Sequence, residues 1–110
     1  MTSAYIVAVI DEHDGNTFEE YRRVALPVIA EFGGRSLLQG TRHEVLEGDW
    51  SPRRVVVVEF PSLQQARAWY SSAAYQSARK LRLASADTRM LLFEGRAQGV
   101  EDTQSVPKTA

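Results

Sequence analysis

Arg53-Arg54-Val55-Val56-Val57-Val58-Glu59-Phe60-Pro61-Ser62 is the stretch on which the fold turns. Four valines and a phenylalanine favour a pleated strand. Alternate residues of a strand point to opposite faces. Val55 and Val57 therefore share one face, and Val56, Val58 and Phe60 the other. Both faces are apolar. Pro61 has no backbone N–H to continue the ladder, so the strand ends there. Ser62, with Gln65 three residues on, reads as a capping box that opens a helix through Leu63, Ala66, Trp69 and Tyr70.

Working outward, Gly48-Asp49-Trp50-Ser51-Pro52 is turn chemistry. It predicts a hairpin from a second strand over Arg35–Gln39 and Thr41–Leu46, interrupted or bulged at Gly40. Before that strand, Gly33-Gly34 closes a helix whose apolar stripe is Phe18, Tyr21, Ala25, Val28, Ile29 and Phe32. Asn16 and Glu19 form its expected capping box, and Pro27 predicts a bend. Ala4–Ile10 is the first strand, again apolar on both parities. Downstream, Ser72 to about Leu83 continues the second helix, and Asp87–Glu94 is the fourth strand. The order is β-α-β-β-α-β, a ferredoxin-like α+β arrangement. It predicts a four-stranded antiparallel sheet, strands one and three central, with two main helices on one face. Residues 1–95 form the single domain, and residues 96–110 a polar flexible C-terminal tail.

A chain of 110 residues carrying 13 basic and 14 acidic side chains has a net charge of −1. That balance gives no electrostatic footprint for nucleic acid or an anionic membrane. There is no cysteine, which excludes disulfide scaffolds, thiolate metal sites and cysteine nucleophiles. The apolar run at Ala4–Ile10 is too short to span a membrane and wrongly flanked for a signal peptide, so a cytoplasmic location is expected. No phosphate loop, dinucleotide glycine motif or serine nucleophile elbow is present.

Helices can cover only one face of this sheet, and the tail RAQGVEDTQSVPKTA is too poor in apolar residues to cover the other. An exposed apolar face of that size asks for a partner. The expected solution is a homodimer pairing sheet to sheet about a two-fold axis.

Glu44–Trp50, Val55–Ser62, Ala68-Trp69-Tyr70, Tyr75-Gln76 and Leu92–Gly95, together with Tyr21 and Gly33-Gly34, resemble the domain of unknown function 1330 (DUF1330) family over about residues 4–95. The resemblance implies the dimeric α/β-barrel superfamily, in which two ferredoxin-like subunits pair their sheets. It brings no settled activity and no accepted catalytic residues. Wider relatives include cofactor-independent monooxygenases, lactone isomerases and haem-handling proteins, and fold alone does not choose among them.

The expected topology gathers Asp11, His13, Trp50, Arg53, Arg54, Tyr75, Arg79, Arg82, Asp87 and Arg89 at the sheet end that also holds the start of helix one. A helix start, arginines and aromatics suit a small acidic or aromatic ligand. The ligand-binding candidates are Asp11, Trp50, Arg54, Tyr75, Arg82 and Asp87. His13, Arg54 and Tyr75 are the catalytic candidates, as base, anion clamp and aromatic wall. The plain alternative is a charged rim of arginine–aspartate pairs. His13 is expected to be exposed, and His43 lies on the outer strand. With only two histidines, neither metal nor haem is expected, nor any other cofactor. Glu59 is expected to pair with an arginine or meet water. One of Trp69 and Tyr70 packs on the sheet while the other edges a cleft. Three functions follow: a binder of a small acidic or aromatic metabolite between sheet and helices, a cofactor-independent oxygenase- or isomerase-like enzyme, and a dimerisation module without ligand.

Overall fold

The four-valine strand sits at the centre of a sheet ordered β2-β3-β1-β4, with every neighbouring pair antiparallel. The structure is a computed structural model and describes residues 2–96, so the expected tail lies outside the described residues beyond Arg96. The elements are β1 (Ala4–Glu12), α1 (Gly15–Glu31), β2 (Arg35–Gly40), β3 (Arg54–Phe60), α2 (Leu63–Ser71), α3 (Ala73–Ser85) and β4 (Ala86–Glu94). This is the expected ferredoxin-like α+β fold.

The two strand parities now separate. Ala4, Ile6, Ala8 and Ile10 of β1, with Val58 and Phe60 of β3, are buried beneath the helices. They meet the stripe of α1 (Phe18, Tyr21, Ala25, Val28, Ile29) and Ala66, Trp69, Tyr75 and Ala78 of α2 and α3. Tyr5, Val7 and Val9 point the other way, opposite Val55, Val57 and Glu59 on β3 and Leu91 and Phe93 on β4. Among the described residues, no helix covers that face. Leu91 is 58% exposed and Phe93 50%.

Several boundaries differ from expectation. The cap of α1 is Asp14, not Asn16; its carboxylate accepts from the Thr17 amide at 3.2 Å and the Thr17 hydroxyl at 2.8 Å. A carboxylate is the stronger acceptor and its charge suits the positive end of the helix. The Asp14 and His13 amides both donate to the Ser85 carbonyl, which fixes the chain reversal one turn earlier. Pro27 lies within α1 without ending it.

Strand β2 stops at Gly40, and its bulge lies between Ser36 and Leu38 rather than at Gly40. The extra residue lets Leu38 face Val57 while Ser36 faces Val58. Residues 41–53 form an exposed connection in place of a strand and tight hairpin, and Val45, Leu46 and Trp50 remain uncovered. His43 is thus on a loop, bonded to the Thr41 carbonyl and the Ser51 hydroxyl, not on an outer strand.

Ser62 caps α2 as expected, accepting from the Gln65 amide, but the Gln65 side chain reaches the Phe32 carbonyl instead of completing the box. Ser72 then ends α2 and caps α3 with its hydroxyl on the Tyr75 amide, giving three helices where two main ones were expected. Gly33 takes a φ of 80°, the left-handed turn that glycine favours. At Gly34 a Cβ would stand 2.7 Å from both Ile29 and Phe60, so the backbone there approaches the core directly.

Candidate functional site

Small residues open a space between α1 and the sheet. Ala8 on β1 faces Ala25 on α1, and a cavity of about 50 Å³ lies between them. Ile6, Val56 and Val58 form its floor, Tyr21 and Ala25 its roof, and Trp69 one wall. An apolar cavity that takes up benzene measures about 150 Å³, so a ring enters only as side chains and helix shift.

A buried polar chain backs this space. The Tyr21 and Tyr75 hydroxyls lie 2.9 Å apart, and Arg82 Nε donates to the Tyr75 oxygen at 3.3 Å. Tyr75 is 0% exposed and Arg82 4%. Among the described ion pairs, none includes Arg82. Burial first, then the neighbouring Tyr75, hold the Tyr21 hydroxyl well above the usual tyrosine range. It therefore stays protonated. Aromatic packing fixes the chain in place: the Trp69 and Tyr75 centroids are 4.1 Å apart, and Phe60 stacks beyond at 5.3 Å from Trp69. Trp69 Nε1 is buried without a hydrogen-bond partner.

The two cavity-lining arginines are already engaged. Arg54 Nε donates to Glu12 at 2.8 Å, and its guanidinium lies 5.2 Å from the Phe18 ring centre. Arg22 bonds Gln39 across from α1 to β2 and also pairs with Glu19.

The expected ligand set is divided by the sheet. Arg54, Tyr75 and Arg82 lie on the helix side. Asp11, Trp50 and Asp87 line a separate groove of about 570 Å³ on the uncovered face, with Arg53 and Arg89. The cause is the two-residue period of the strands. Ile10 is the cross-strand partner of Arg54, so Asp11, one residue on, points the opposite way. Asp11 stands directly opposite Asp87 and pairs with Arg53 at 2.9 Å, both partners well exposed. That groove has the charged rim weighed as the plain alternative. His13 is exposed and outside the cavity lining. Tyr75 is not a cleft wall but a buried member of the polar chain. Arg54 is not a free anion clamp, because Glu12 neutralises it.

Two expectations about single side chains hold, those for Glu59 and for the Trp69–Tyr70 pair. Glu59 pairs with Arg35 at 2.8 Å and accepts from the Tyr5 hydroxyl, and the Arg35 bond chiefly holds its carboxyl below the usual range. Trp69 packs on the sheet while Tyr70 edges a groove between α2 and β4. Among the described residues there is no group of three His, Asp or Glu side chains that could hold a metal. Nor is any described helix long and apolar enough to cross a membrane.

Sequence reasoning missed the Tyr21–Tyr75 bond and the inward turn of Arg82. A signal existed: Tyr75, Ala78, Arg82 and Ser85 fall on one stripe of α3, and all four are buried.

Residues 3–96 match the model of a family described as a domain of unknown function, DUF1330. No curated protein matches the chain. Among solved structures, a protein of unknown function from Rhodopseudomonas palustris superposes with a TM-score of 0.74 at 20% identity, covering 87% of this chain and 84% of that one. SnoaB, a cofactor-independent oxygenase from Streptomyces nogalater, gives 0.66 at 16% identity, covering 92% and 100%. A dimeric protein of unknown function with a ferredoxin-like fold from Bacteroides fragilis gives 0.60 at 11% identity, covering 84% and 95%. At these identities the likeness is one of fold.

Proposed function

Because the chain belongs to the DUF1330 family, we propose that it works as a homodimer, paired through the uncovered sheet face, that holds a small, mainly apolar ring in the space between α1 and the sheet. The observation that carries the ligand is the cavity beside Tyr21 and Trp69, with apolar walls and both of its arginines already engaged. An acidic ligand would have to displace Glu12 from Arg54, so a neutral aromatic is favoured over a carboxylate. The dimer rests on Leu38, Val57, Val7, Leu91 and Phe93, a contiguous apolar row across all four strands. A related fold from Bacteroides fragilis is described as dimeric.

The test has two arms. Sedimentation equilibrium at micromolar concentration is expected to give twice the chain mass, and a monomer overturns the pairing. Protein-observed NMR titration with small neutral aromatics is expected to shift resonances of α1 and β1 in the wild type but not in Ala25→Leu, which fills the cavity. Equal shifts in both proteins, or none in either, overturn the ligand site.

Turnover without a cofactor is the second reading. The buried Tyr21–Tyr75–Arg82 chain favours it, because positioned donors in a dry site stabilise negative charge developing on a bound oxygen. SnoaB, of similar fold, is described as a cofactor-independent oxygenase. Product analysis with purified protein and no added metal, flavin or haem tests it. Product formation that disappears in Tyr21→Phe supports turnover, and unaltered ligand recovered from the wild type overturns it.

A further inference from the structure

The polar chain behind the cavity has one proton too many. Arg82 Nε–H, Tyr75 O–H and Tyr21 O–H supply three donors, and the two hydrogen bonds between them use two. Arg82 has only a proton to give, so the Tyr75 oxygen accepts from it. Two arrangements remain. If Tyr21 donated to Tyr75, the spare proton would sit on Tyr75, which is fully buried and does not line the cavity. A buried donor left unmade is expensive. If Tyr75 donates to Tyr21, the spare proton sits on Tyr21, which does line the cavity. The positive charge of Arg82 also strengthens Tyr75 as a donor, so the second arrangement is favoured twice.

A second, independent donor without a partner belongs to another residue of the lining. Trp69 lines the cavity, is 2% exposed, and its indole N–H has no partner. The side-chain amide oxygen on the lining is already engaged: Gln39 accepts from Arg22.

We infer that the cavity selects a ligand carrying a hydrogen-bond acceptor and no donor of its own, an aromatic ring bearing a carbonyl oxygen such as an aryl ketone or a quinone, held by the hydroxyl of Tyr21 and the indole N–H of Trp69. This inference rests on the cavity being a ligand site, and it adds which functional group the site reads. Arg82 and Tyr75 are positioning residues: they touch no ligand and fix the direction in which Tyr21 donates.

The test uses the purified full chain and a matched pair of probes, acetophenone and ethylbenzene, which share a ring and near-equal size but differ in the carbonyl. Wild type is expected to bind acetophenone about tenfold tighter or better, the equivalent of one buried hydrogen bond. Tyr21→Phe keeps the ring and removes the proton, so most of that preference disappears. The carbonyl stretch of bound acetophenone falls in frequency in the wild type and returns towards its unbonded value in Tyr21→Phe, a change that altered packing alone does not produce. Tyr75→Phe leaves Tyr21 its own hydroxyl, so the preference shrinks without vanishing. Equal affinity for both probes in the wild type overturns the inference while leaving the ligand site standing. Binding of neither probe overturns both. Loss of the preference in Tyr75→Phe but not in Tyr21→Phe assigns the donor to the wrong oxygen and also overturns it.

Discussion

The two faces of the sheet come from interleaved residues of the same strands, yet they obey different rules. The helix face carries Ala4, Ile6, Ala8 and Ile10, small and branched side chains fitted beneath rings from the helices. The uncovered face carries Tyr5, Val7, Val9, Val55, Val57, Leu91 and Phe93, just as apolar but with none of the described helices above them. At its ends the uncovered face turns charged, with Glu59 and Arg35 at one and Asp11, Arg53, Asp87 and Arg89 at the other. An apolar centre inside a polar border is the anatomy of a protein–protein interface. Hydrophobicity alone therefore does not distinguish the covered face from the uncovered one; the size pattern and the charged ends do.

The sharpest way to break this comparison is one substitution at two adjacent positions. Val58→Asp places a charge among Ile6, Phe60 and Trp69, and an unpaired buried charge costs at least ~3–5 kcal/mol, a large share of a small domain's stability. Circular dichroism is expected to show the fold lost. Val57→Asp places the same charge on the uncovered face. The chain is expected to stay folded and sediment as a monomer. If both variants unfold, or if Val57→Asp remains a dimer, the two faces are not the different surfaces described.

A second probe separates the faces by pH on the alkaline side. Tyr21 on the helix side has its folded-state pKa raised by burial and by Tyr75. Its unfolded value is tyrosine's usual 10.0. The stability it contributes is fully present below about pH 10 and is lost as the pH climbs towards the folded value. Wild type is expected to lose melting temperature steeply above pH 10, and Tyr21→Phe less steeply. Parallel curves would mean that the Tyr21 hydroxyl is not held neutral by the fold.

The smallest effect lies on the acid side. Glu59 on the uncovered face is held low chiefly by Arg35, and Asp14 is held low by Thr17. For a depressed carboxyl the contribution is present above the unfolded value and lost as pH falls through the folded one. Both groups are at the surface, so the loss below about pH 4 is small and shrinks with salt. Arg35→Gln is expected to flatten the acid limb slightly and to leave the alkaline limb unchanged.

How much of this was legible follows from period and distance. Val55–Phe60, Pro61 and the Ser62 cap place β3 and α2 from local chemistry alone. The first helix stripe is also local, and its residues Phe18 to Ile29 are buried as spaced. Asp14 and Asn16 are both good caps two residues apart, and only the Ser85 carbonyl, far along the chain, decides between them. The candidate site failed on parity. Grouping residues by the end of the sheet put Asp11 with Arg54, although a strand sends adjacent residues to opposite sides. The Tyr21–Tyr75 bond joins residues 54 apart, and no local pattern announces it.

Ser72 carries a mechanical consequence. It is at once the last cap of α2 and the first of α3, with an extended ψ of 148°. The helical layer is thus two plates joined by a pivot. One plate, α2, is seated on β1, β3 and β4, and the other, α3, is docked on α1 and runs on into β4. A swivel at Ser72 that lifted α3 with α1 would also have to bend the chain at Ala86, where α3 passes straight into β4. The resistance to a ring entering beneath α1 is therefore shared by the packing of Phe18, Tyr21, Ala25 and Ile29 on the sheet, the Ser85–Ala86 junction and the Arg22–Gln39 bond.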